Sequence, residues 1–563
     1  MRFYLIIFFA FISQLSPAQK SYPTDYFDPP LKIPIVLAGT FGELRSNHFH
    51  SGIDIKTQGK EGLPIYAAAD GYVSRIKVGQ YGFGKALYLK HPNGYSTVYA
   101  HLQKFAPAIQ KHVKKTQYAK KKYAIGNLFP SQDMFPVKKG QLIGYGGDTG
   151  SSGGPHLHYE IRESKTDRII NPLLFGLHPK DTIAPLIKFL LAYPMDVASR
   201  VNNGASKTAL PLKKTGPGTY RTNPITASGE IGFGLAVFDR LNGASNKNGV
   251  YSIKMKVNGQ TVYYHDVESF TFAESKYINL HIDYPYYKSY KQRVQKTHKV
   301  TTNRLKLYKT LVNNGVITIS PAQNYSIDII AKDIENNSST IHIPVKGVAA
   351  NAVFTQKDTT AFKIKANEFI RFQDKNVQVA FPKNTFYEDC FIDFSVEEGV
   401  AHIHNTTIPL DKRYTLTFET GYLSALQKQQ VYIANVNYPK YPRYVSTKKK
   451  LDKVYTSTKA LGSYTLKFDT KKPTIQPLNF YNKQWISKNK TLKVKIKDRQ
   501  SGIRSFKASI DGEWILMEYN HKRGILTYDF SDKKLVGSKH IFKIVVADNV
   551  GNTKTLKATF FKK

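Results

Sequence analysis

The sequence predicts a mainly β protein built from several domains. The chain has 563 residues, which is too long for one hydrophobic core and corresponds to about three to five domains of ordinary size. Aromatic residues make up 13% of the chain, and they are enriched in strands. Short apolar runs that alternate with glycine-containing turns continue along most of the chain and indicate antiparallel sheets.

The first residues have the pattern of an export signal. Arg2 supplies a positive charge, residues 3–12 are an unbroken apolar run, and Ser16, Pro17 and Ala18 are suited to cleavage. An apolar run of this length is too short to cross a membrane. We therefore expect a signal peptide over residues 1–18 and a mature protein that is periplasmic, extracellular or attached to the cell envelope. No later segment is predicted to span a membrane.

Residues 19–180 are predicted to form the first folded domain, with its motifs between residues 33 and 175. Pro92, Asn93 and Gly94 lie between two β-rich runs and indicate a hairpin. Residues 103–124 interrupt the strand pattern, because apolar residues such as Ile109 and Val113 recur there at helical spacing among many lysines. We predict one basic amphipathic helix inserted into a β domain, where it packs on the rim or steers substrate.

The remainder of the chain contains an internal repeat. Residues 249–259 and 502–512 match without a gap, as GVYSIKMKVNG and GIRSFKASIDG. Their Asn-Gly and Asp-Gly pairs indicate hairpin turns. Each copy resembles the immunoglobulin-like β-sandwich modules of bacterial surface proteins. We predict such modules over residues 181–350, with a basic insertion, and over residues 471–563, separated by a β-rich domain over residues 351–470.

The charge of the chain indicates an anionic partner. Lys and Arg number 82 against 41 Asp and Glu, a net charge of +41, and such an excess attracts polyanions. For an exported protein these are cell wall, acidic glycans and lipid headgroups. We therefore expect an anionic envelope surface as a partner and no nucleic acid, although a charged run is also typical of a solvated face. The single cysteine, Cys390, cannot form an intramolecular disulfide and is predicted to be a buried core residue.

Three segments of the first domain contain the residues suited to chemistry, HSGID at 50–54, YAHL at 99–102 and GPHLH at 154–158. On a strand, His156 and His158 would project from the same face. His50 and Asp54 are four residues apart, and we expect the chain to bend at Gly52 to bring them together. Two imidazoles and one carboxylate leave a fourth coordination position open, which is typical of a catalytic zinc site.

The same segments, read as FHSGIDI, TVYAHL and SSGGPHLHYEI, resemble the motifs of the lysostaphin-like (LytM-type) zinc endopeptidases, which cleave peptidoglycan peptides. The resemblance covers roughly residues 33–175. It implies a compact antiparallel β domain of the duplicated hybrid motif type and one zinc ion per chain. It also implies His50, Asp54 and His158 as zinc ligands, with His101 and His156 as the catalytic pair.

The resemblance also suggests how the reaction proceeds. Zinc polarises the scissile carbonyl and lowers the pKa of its water to about 7. The HExxH motif is absent, so a Glu of that motif cannot be the base, and a neutral imidazole is the natural replacement. We assign His156 as the base and His101 as the group that orients water and stabilises the oxyanion, and the sequence also allows the reverse.

The predicted function is hydrolysis of peptide bonds in the stem peptides or cross-bridges of peptidoglycan. One alternative keeps the chemistry but moves the substrate to Gly-rich extracellular proteins. A second alternative is a non-catalytic regulator that docks other wall hydrolases, which the complete set of ligands disfavours. His48 precedes His50 by two residues and is assigned no role in the site. The oligomeric state is not predicted.

Overall fold

The computed structural model describes residues 21–349 and 359–563. The predicted signal peptide over residues 1–18 lies outside the described residues. Within the described part, strands far outnumber helices, and the mainly β class is confirmed. None of the helices in these two ranges is long and apolar enough to cross a membrane.

Twelve strands, one α-helix and one 3-10 helix (Pro172–Phe175) build the first domain, and its strands all pair antiparallel. The helix is α1 (Pro107–Lys120), and the strands are β1 (Leu37–Gly39), β2 (Ile53–Lys56), β3 (Pro64–Tyr66), β4 (Gly71–Val78), β5 (Lys85–Lys90), β6 (Tyr95–Ala100), β7 (Lys104–Phe105), β8 (Gly126–Leu128), β9 (Pro136–Val137), β10 (Leu142–Tyr145), β11 (His156–Glu163) and β12 (Ile169–Ile170). The main sheet runs β1-β2-β11-β6-β5-β4-β8, and a small sheet runs β3-β10-β7. The carriers of the three motifs, β2, β11 and β6, are therefore adjacent.

The predicted hairpin and helix are both confirmed. Strands β5 and β6 pair antiparallel across the turn at residues 91–94. Helix α1 begins at Pro107, where the missing proline N–H costs no hydrogen bond. It buries Ile109 and Val113 in the same core as Phe105. The helix thus packs on the edge of the β domain, with its lysines outward.

Residues 181–349 form sheets joined by one long strand and include three short helices. The helices are α2 (Phe272–Ser275), α3 (Ile278–His281) and α4 (Tyr284–Tyr290), and the strands are β13 (Leu186–Pro194), β14 (Arg200–Val201), β15 (Thr208–Leu210), β16 (Lys213–Gly216), β17 (Thr219–Arg221), β18 (Ile225–Phe238), β19 (Ser252–Val257), β20 (Gln260–Asp266), β21 (Ser269–Phe270), β22 (Gln295–Lys296), β23 (Tyr308–Leu311), β24 (Ile317–Ile319), β25 (Asn324–Lys332) and β26 (Ser338–Gly347). Strand β18 pairs antiparallel with β13 and parallel with β26, so it belongs to both layers around the core.

Two further β units follow. The first has helix α5 (Ala425–Gln430) and strands β27 (Phe362–Ile364), β28 (Ile370–Asp374), β29 (Val377–Phe381), β30 (Cys390–Ile392), β31 (Phe394–Glu397), β32 (Val400–Ile403), β33 (Tyr414–Glu419), β34 (Val431–Asn435), β35 (Arg443–Tyr444), β36 (Lys448–Lys450), β37 (Lys453–Thr458) and β38 (Gly462–Phe468). The second has strands β39 (Thr474–Pro477), β40 (Gln484–Trp485), β41 (Thr491–Lys497), β42 (Ile503–Ile510), β43 (Glu513–Trp514), β44 (Glu518–Asn520), β45 (Ile525–Asp529), β46 (Lys539–Asp548) and β47 (Thr553–Phe561). Its two sheets enclose one core.

The internal repeat is visible as two equivalent hairpins. Strands β19 and β20 pair around Asn258 and Gly259, and β42 and β43 pair around Asp511 and Gly512. Both copies also place a long closing hairpin, β25–β26 or β46–β47, beside the first strand. The hairpins agree with the prediction, while the immunoglobulin likeness and the domain boundaries stay predictions. Cys390 is half-buried in β30 and not fully buried as expected, because its strand pairs only with β27.

The insertion in the first copy of the repeat lies between β20 and β25 and includes the basic run 286–309. Its first part, residues 269–282, shares the core of the first domain. Phe270 is fully buried and lies 4.9 Å from Phe41 and 5.5 Å from Phe49, measured between ring centroids. Strand β21 extends the main sheet by pairing with β12, which sets Phe270 opposite Ile169. Ile278 of α3 belongs to the same buried cluster. The chain beyond residue 180 therefore completes the packing beneath the motifs.

Candidate metal and catalytic site

Sheet register brings the three motifs to one place. In the antiparallel pairing of β11 with β2, His158 stands opposite Asp54, and in its pairing with β6 it stands opposite Ala100. His101 follows Ala100 directly, at the end of β6, and His156 opens β11. Because these strands are neighbours, residues that are about 50 positions apart in sequence meet at one end of the sheet.

His50 reaches the site from a turn that precedes β2. The N–H of Gly42 donates to the carbonyl oxygen of His50 at 2.9 Å, and the N–H of His50 donates to that of Glu43 at 2.9 Å. The chain bends at Gly52 as expected, although the backbone there is not left-handed. A Cβ atom there would lie 2.3 Å from the carbonyl oxygen of Tyr159. This glycine is needed for the close approach of β2 to β11.

The three predicted ligands converge through one atom each. His50 Nε2 lies 3.1 Å from Asp54 Oδ1 and 3.1 Å from His158 Nδ1, and the last two atoms are 2.9 Å apart. All three residues are buried. Four ligand atoms arranged tetrahedrally around zinc at about 2.0–2.1 Å would be about 3.3 Å apart. The observed triangle matches that spacing with one position open.

In His50 and His158, one ring nitrogen points away from the three ligand atoms and makes a hydrogen bond. That bond determines that the other ring nitrogen, which points toward the ligand atoms, is an acceptor. His50 Nδ1 lies 2.8 Å from the carbonyl oxygen of Thr40, and His158 Nε2 lies 2.9 Å from the carboxylate of Glu160. Both partners accept only, so these two nitrogens carry hydrogens. His50 Nε2 and His158 Nδ1 are then lone pairs that face the Asp54 carboxylate. Three acceptors this close repel one another unless a cation or proton lies among them, and this donor set fits zinc.

The electrostatics of the site agree with a place for positive charge. Burial alone would raise the pKa of Asp54, but His50 and hydrogen bonds from the other histidines hold it well below its usual range. Burial alone would lower the pKa of His158, but hydrogen bonds to Asp54 and Glu160 raise it to about 9. In the absence of metal, His158 therefore carries a proton at neutral pH.

Sequence reasoning missed the residues that orient the ligands from outside. Glu160 is fully buried, and its second oxygen accepts from Arg162 Nε at 2.7 Å, while Arg162 Nη1 donates to Asp167 at 2.9 Å. Burial would raise the pKa of Glu160, but Arg162 and His158 lower it to about 2. Outer partners of this kind fix the tautomer and rotamer of a ligand. The alternation of strand β11 could have revealed Glu160, since it is two residues beyond His158.

The second oxygen of Asp54 is also held. Arg45 Nη2 donates to Asp54 Oδ2 at 3.3 Å and to Glu43 Oε2 at 3.1 Å. Asp54 therefore presents Oδ1 alone to the two imidazoles. No local pattern in the sequence predicts this arginine, since it reaches the ligand only through the fold of the preceding turn.

His101 and His156 lie side by side next to the ligand triangle. Their ring centroids are 4.9 Å apart, and His156 Nε2 is 3.4 Å from Asp54 Oδ1. His101 Nδ1 faces the carbonyl oxygen of Thr149 at 2.8 Å, and His156 Nδ1 faces that of Gly154 at 2.9 Å. Each ring thus donates outward and keeps an Nε2 lone pair. Burial, together with neighbouring histidines, lowers the pKa of His101 to about 3, so this ring is neutral at physiological pH.

One excluded histidine and one unexpected neighbour complete the description. His48 is exposed, and its Nδ1 lies 2.9 Å from the carbonyl oxygen of Ser46, away from the ligand triangle.

The turn between β44 and β45 lies beside the site, where Lys522 Nζ contacts Asp148 Oδ1 at 2.6 Å. Asp148 precedes Thr149, which holds His101. The last module of the chain thus touches the segment that orients a predicted catalytic residue.

Comparison with known proteins agrees with this geometry. Residues 48–135 and 121–172 match the model of Peptidase family M23, and residues 361–469 match that of the Zu5-like domain. The predicted resemblance to lysostaphin-like enzymes is confirmed by the M23 match. The Zu5-like match lies within the segment predicted as a β-rich domain.

Similar proteins match about a fifth to a quarter of the chain. The DD-carboxypeptidase/endopeptidase Mpg of Neisseria meningitidis is 36% identical over 134 residues, which are 24% of this chain and 24% of that protein. The peptidoglycan DD-endopeptidase ShyC of Vibrio cholerae is 37% identical over 100 residues, 18% of this chain and 17% of that protein. The solved catalytic domain of the M23 protein EnpA from Enterococcus faecalis is 26% identical and covers 27% of this chain and 98% of that chain, with a TM-score of 0.20. The chain spans about a quarter of the length of the first curated relatives that it matches.

Proposed function

We propose, from the match of residues 48–172 to Peptidase family M23, a function for the whole chain. The chain is an exported zinc metalloendopeptidase that hydrolyses peptide bonds of peptidoglycan. The observation that carries the proposal is the convergence of His50 Nε2, Asp54 Oδ1 and His158 Nδ1 at 2.9–3.1 Å, beside two further imidazoles. These three atoms would hold one zinc ion per chain. When bound, zinc supplies a Lewis acid for the scissile carbonyl and makes water acidic.

The residues of the chain divide the proton transfers between them. His156 Nε2, the acceptor nitrogen of the neutral ring, takes the proton of the attacking water, and the same nitrogen then gives it to the leaving amine. Asp54 Oδ1 lies 3.4 Å from this nitrogen. His101 stays neutral and accepts a hydrogen bond from the water, which orients it. The Thr149 carbonyl keeps the His101 ring in place.

The proposed substrate follows from the names of the relatives. Mpg and ShyC are described as endopeptidases for DD bonds, and ShyC as acting on peptidoglycan. We assign this chain the same substrate class, cross-linked peptidoglycan peptides. The alternative of a non-catalytic regulator has less support, because the five predicted site residues lie together at one end of the sheet. The alternative of a protease for Gly-rich extracellular proteins keeps the same site and differs only in what enters the groove.

Digestion of purified sacculi tests this proposal. The zinc-loaded full chain should convert cross-linked muropeptides to uncross-linked ones, which mass spectrometry of the released peptides would show. His156→Ala should keep zinc but lower turnover by about 10²-fold or more, the usual scale for a general base. His112→Ala, which alters a histidine on α1 outside the site, is the matched control. Cleavage of a Gly-rich protein but not of sacculi would move the substrate, and zinc binding with no cleavage at all would favour the regulator.

A further inference from the structure

We infer that the link between the first domain and the following β module binds a calcium ion through Asp181, Asp239 and Asp333. One carboxylate oxygen from each of these residues lies within 4.8 Å of the others. Asp181 belongs to the link itself, Asp239 directly follows β18, and Asp333 directly follows β25. Three separate parts of the chain therefore present acidic groups to one point. The inference does not depend on the proposed peptidase activity.

Asp239 is buried without a partner for one of its oxygens. Only 2% of its surface is exposed, and its Oδ1 has no hydrogen-bond partner among the residues that the structure describes. A buried carboxylate oxygen that accepts no hydrogen bond is strongly unfavourable. Its neighbours make this worse, because the nearest charged groups are two more carboxylates. A cation bound between the three would remove both costs.

The absence of basic partners is unusual for this chain. It has 82 Lys and Arg residues against 41 acidic ones, and two other buried aspartates contact a lysine, Asp266 with Lys309 at 3.6 Å and Asp283 with Lys207 at 2.8 Å. Within residues 21–349 and 359–563, no Lys or Arg forms an ion pair with any of the three clustered carboxylates. Burial, together with repulsion from Asp181 and Asp333, raises the pKa of Asp239 to about 7. The cluster lacks a positive charge that the rest of the chain could easily have supplied.

Asn337 forms hydrogen bonds with two of the three aspartates. Its backbone N–H donates to Asp333 Oδ1 at 2.8 Å, and its side-chain amide donates to Asp333 Oδ2 at 2.8 Å. The same amide donates to the carbonyl oxygen of Asp181 at 3.3 Å. The asparagine therefore ties the link to the loop after β25. A metal held here would fix the direction in which the β module leaves the first domain.

The second copy of the repeat contains the same arrangement and serves as an internal comparison. Asp469, Asp498 and Asp548 also form a cluster within 4.8 Å, and Asn552 donates to Asp548 Oδ2 and to the Asp469 carbonyl as Asn337 does in the first copy. Both links read Asp-Thr-x-x-Pro, at residues 181–185 and 469–473.

The two copies differ at one position. Asp498 Oδ1 accepts the N–H groups of Gln500 and Gly502, at 3.0 and 2.7 Å. No such donor reaches Oδ1 of Asp239, its counterpart in the first copy, among the described residues. The unsatisfied carboxylate, and with it the inference, belongs to the first copy.

The donor set favours calcium over other metals. Carboxylate and carbonyl oxygens are ligands of hard cations, whereas zinc prefers nitrogen and sulfur. Calcium accepts irregular geometries with six to eight oxygens, and three carboxylates from three loops form an irregular set. Magnesium demands a near-ideal octahedron and keeps most of its water, which a largely buried cluster does not provide.

Metal binding by the full chain tests the inference. Metal-free protein is given one equivalent of zinc and then dialysed against radioactive calcium. We expect wild type to bind calcium and Asp239→Asn to bind one equivalent less, with zinc content unchanged in both. Asp452→Asn, which alters an exposed aspartate paired with Lys428, should bind as wild type does. A wild type that binds no calcium, or an Asp239→Asn variant that keeps the full calcium count, overturns the inference.

Thermal unfolding supplies an independent readout. Without calcium, Asp239→Asn should raise the melting temperature above that of wild type, because it removes one of three mutually repelling carboxylates. With calcium, the order should reverse, since only wild type gains from the ion. A purely structural role for Asp239 would lower the melting temperature of the variant under both conditions and would also overturn the inference.

Discussion

His158 is held by a contact at each of its ring nitrogens. Glu160 accepts from Nε2 at 2.9 Å, and Nδ1 faces the carboxylate of Asp54 at the same distance. The ring can neither rotate nor change tautomer without breaking a buried hydrogen bond. The position of a metal ion is therefore set by the protein before the ion arrives.

Removing this ring should remove the metal. We expect His158→Ala to lose most bound zinc and nearly all activity, because the two ligands that remain seldom hold zinc against water. Metal analysis of the purified variant measures this directly. His48→Ala is the matched control, since that ring is exposed and lies near the site without facing it, and it should keep its zinc. A full complement of zinc in His158→Ala would contradict the ligand assignment.

Zinc and protons should compete at His158. Its pKa of about 9 in the metal-free protein means that the ring is protonated at neutral pH, and zinc must displace that proton. Apparent zinc affinity should therefore fall about tenfold for each pH unit below about 9 and level off above it. Competition with a coloured chelator from pH 6 to 10 measures the slope. A zinc affinity that does not change between pH 6 and 8 would mean that His158 carries no such proton in the metal-free protein.

At the scale of elements, strand β11 carries most of the site. Its alternation places His156, His158 and Glu160 on one face, while Tyr159 is fully buried on the other. The strand can do this only because β2 lies close beside it. That closeness depends on Gly52, where any side chain would strike the carbonyl of Tyr159.

A methyl group at Gly52 should disturb the site, because it would also lie 3.0 Å from His158 Cε1. Gly52→Ala would place its Cβ 2.3 Å from a backbone oxygen that cannot move freely. We expect a loss of about 1–3 kcal/mol in the free energy of unfolding and weaker zinc binding, measured by denaturant titration and metal analysis. Gly153→Ala is the control, because nothing lies within 4 Å of the added atom and its backbone is not left-handed. Equal stability of the two variants would show that β2 can shift.

Local patterns predicted the elements that hold the ligands but not what surrounds them. The hairpin β5–β6, helix α1 and the shared face of His156 and His158 all follow from short-range spacing. Glu160 could have been found by extending that spacing by two residues. Arg45 could not, since its contact with Asp54 exists only after the preceding turn has folded. Nor does any local signal show that Phe270 packs against Phe49, because 221 residues (270 − 49) separate them.

At the scale of the whole molecule, the core of the first domain includes side chains from the next unit. Phe270 and Ile278 come from the insertion in the next unit, yet both are fully buried in the cluster that supports the motifs. A fragment that ends at residue 180 would expose the surfaces these side chains cover. The boundary at residue 180 therefore separates two segments of the chain whose side chains pack in one shared core.

Fragments should reveal this sharing. We expect residues 21–349 to unfold cooperatively and to bind one zinc, and residues 21–180 to bind zinc poorly and to expose apolar surface. Each fully buried large side chain contributes about 1.5–3 kcal/mol, so the loss of several is comparable to the whole stability of an ordinary domain. Calorimetry and dye binding compare the two fragments. A stable, zinc-loaded fragment 21–180 would show that the insertion is dispensable.

The net charge of +41 should hold the full chain on an anionic surface. Electrostatic attachment weakens as salt shortens the Debye length from about 10 Å at 0.1 M to about 3 Å at 1 M. We expect the chain to sediment with purified sacculi or envelope at low salt and to be released at high salt. A neutral polymer matrix that can be sedimented is the control. Sedimentation that does not depend on salt would indicate recognition through specific contacts instead.

The contact between Lys85 and Glu518 closes the chain on itself. These residues are 433 positions apart, and their side chains meet at 2.9 Å beside the segment that holds His101. Synthesis on the ribosome begins at the N-terminus, so Lys85 appears long before its partner exists. For most of the time the polypeptide is being made, this edge of the groove is incomplete. The chain thus contains a form of timing, in which a module translated 433 residues later finishes the wall of the first domain.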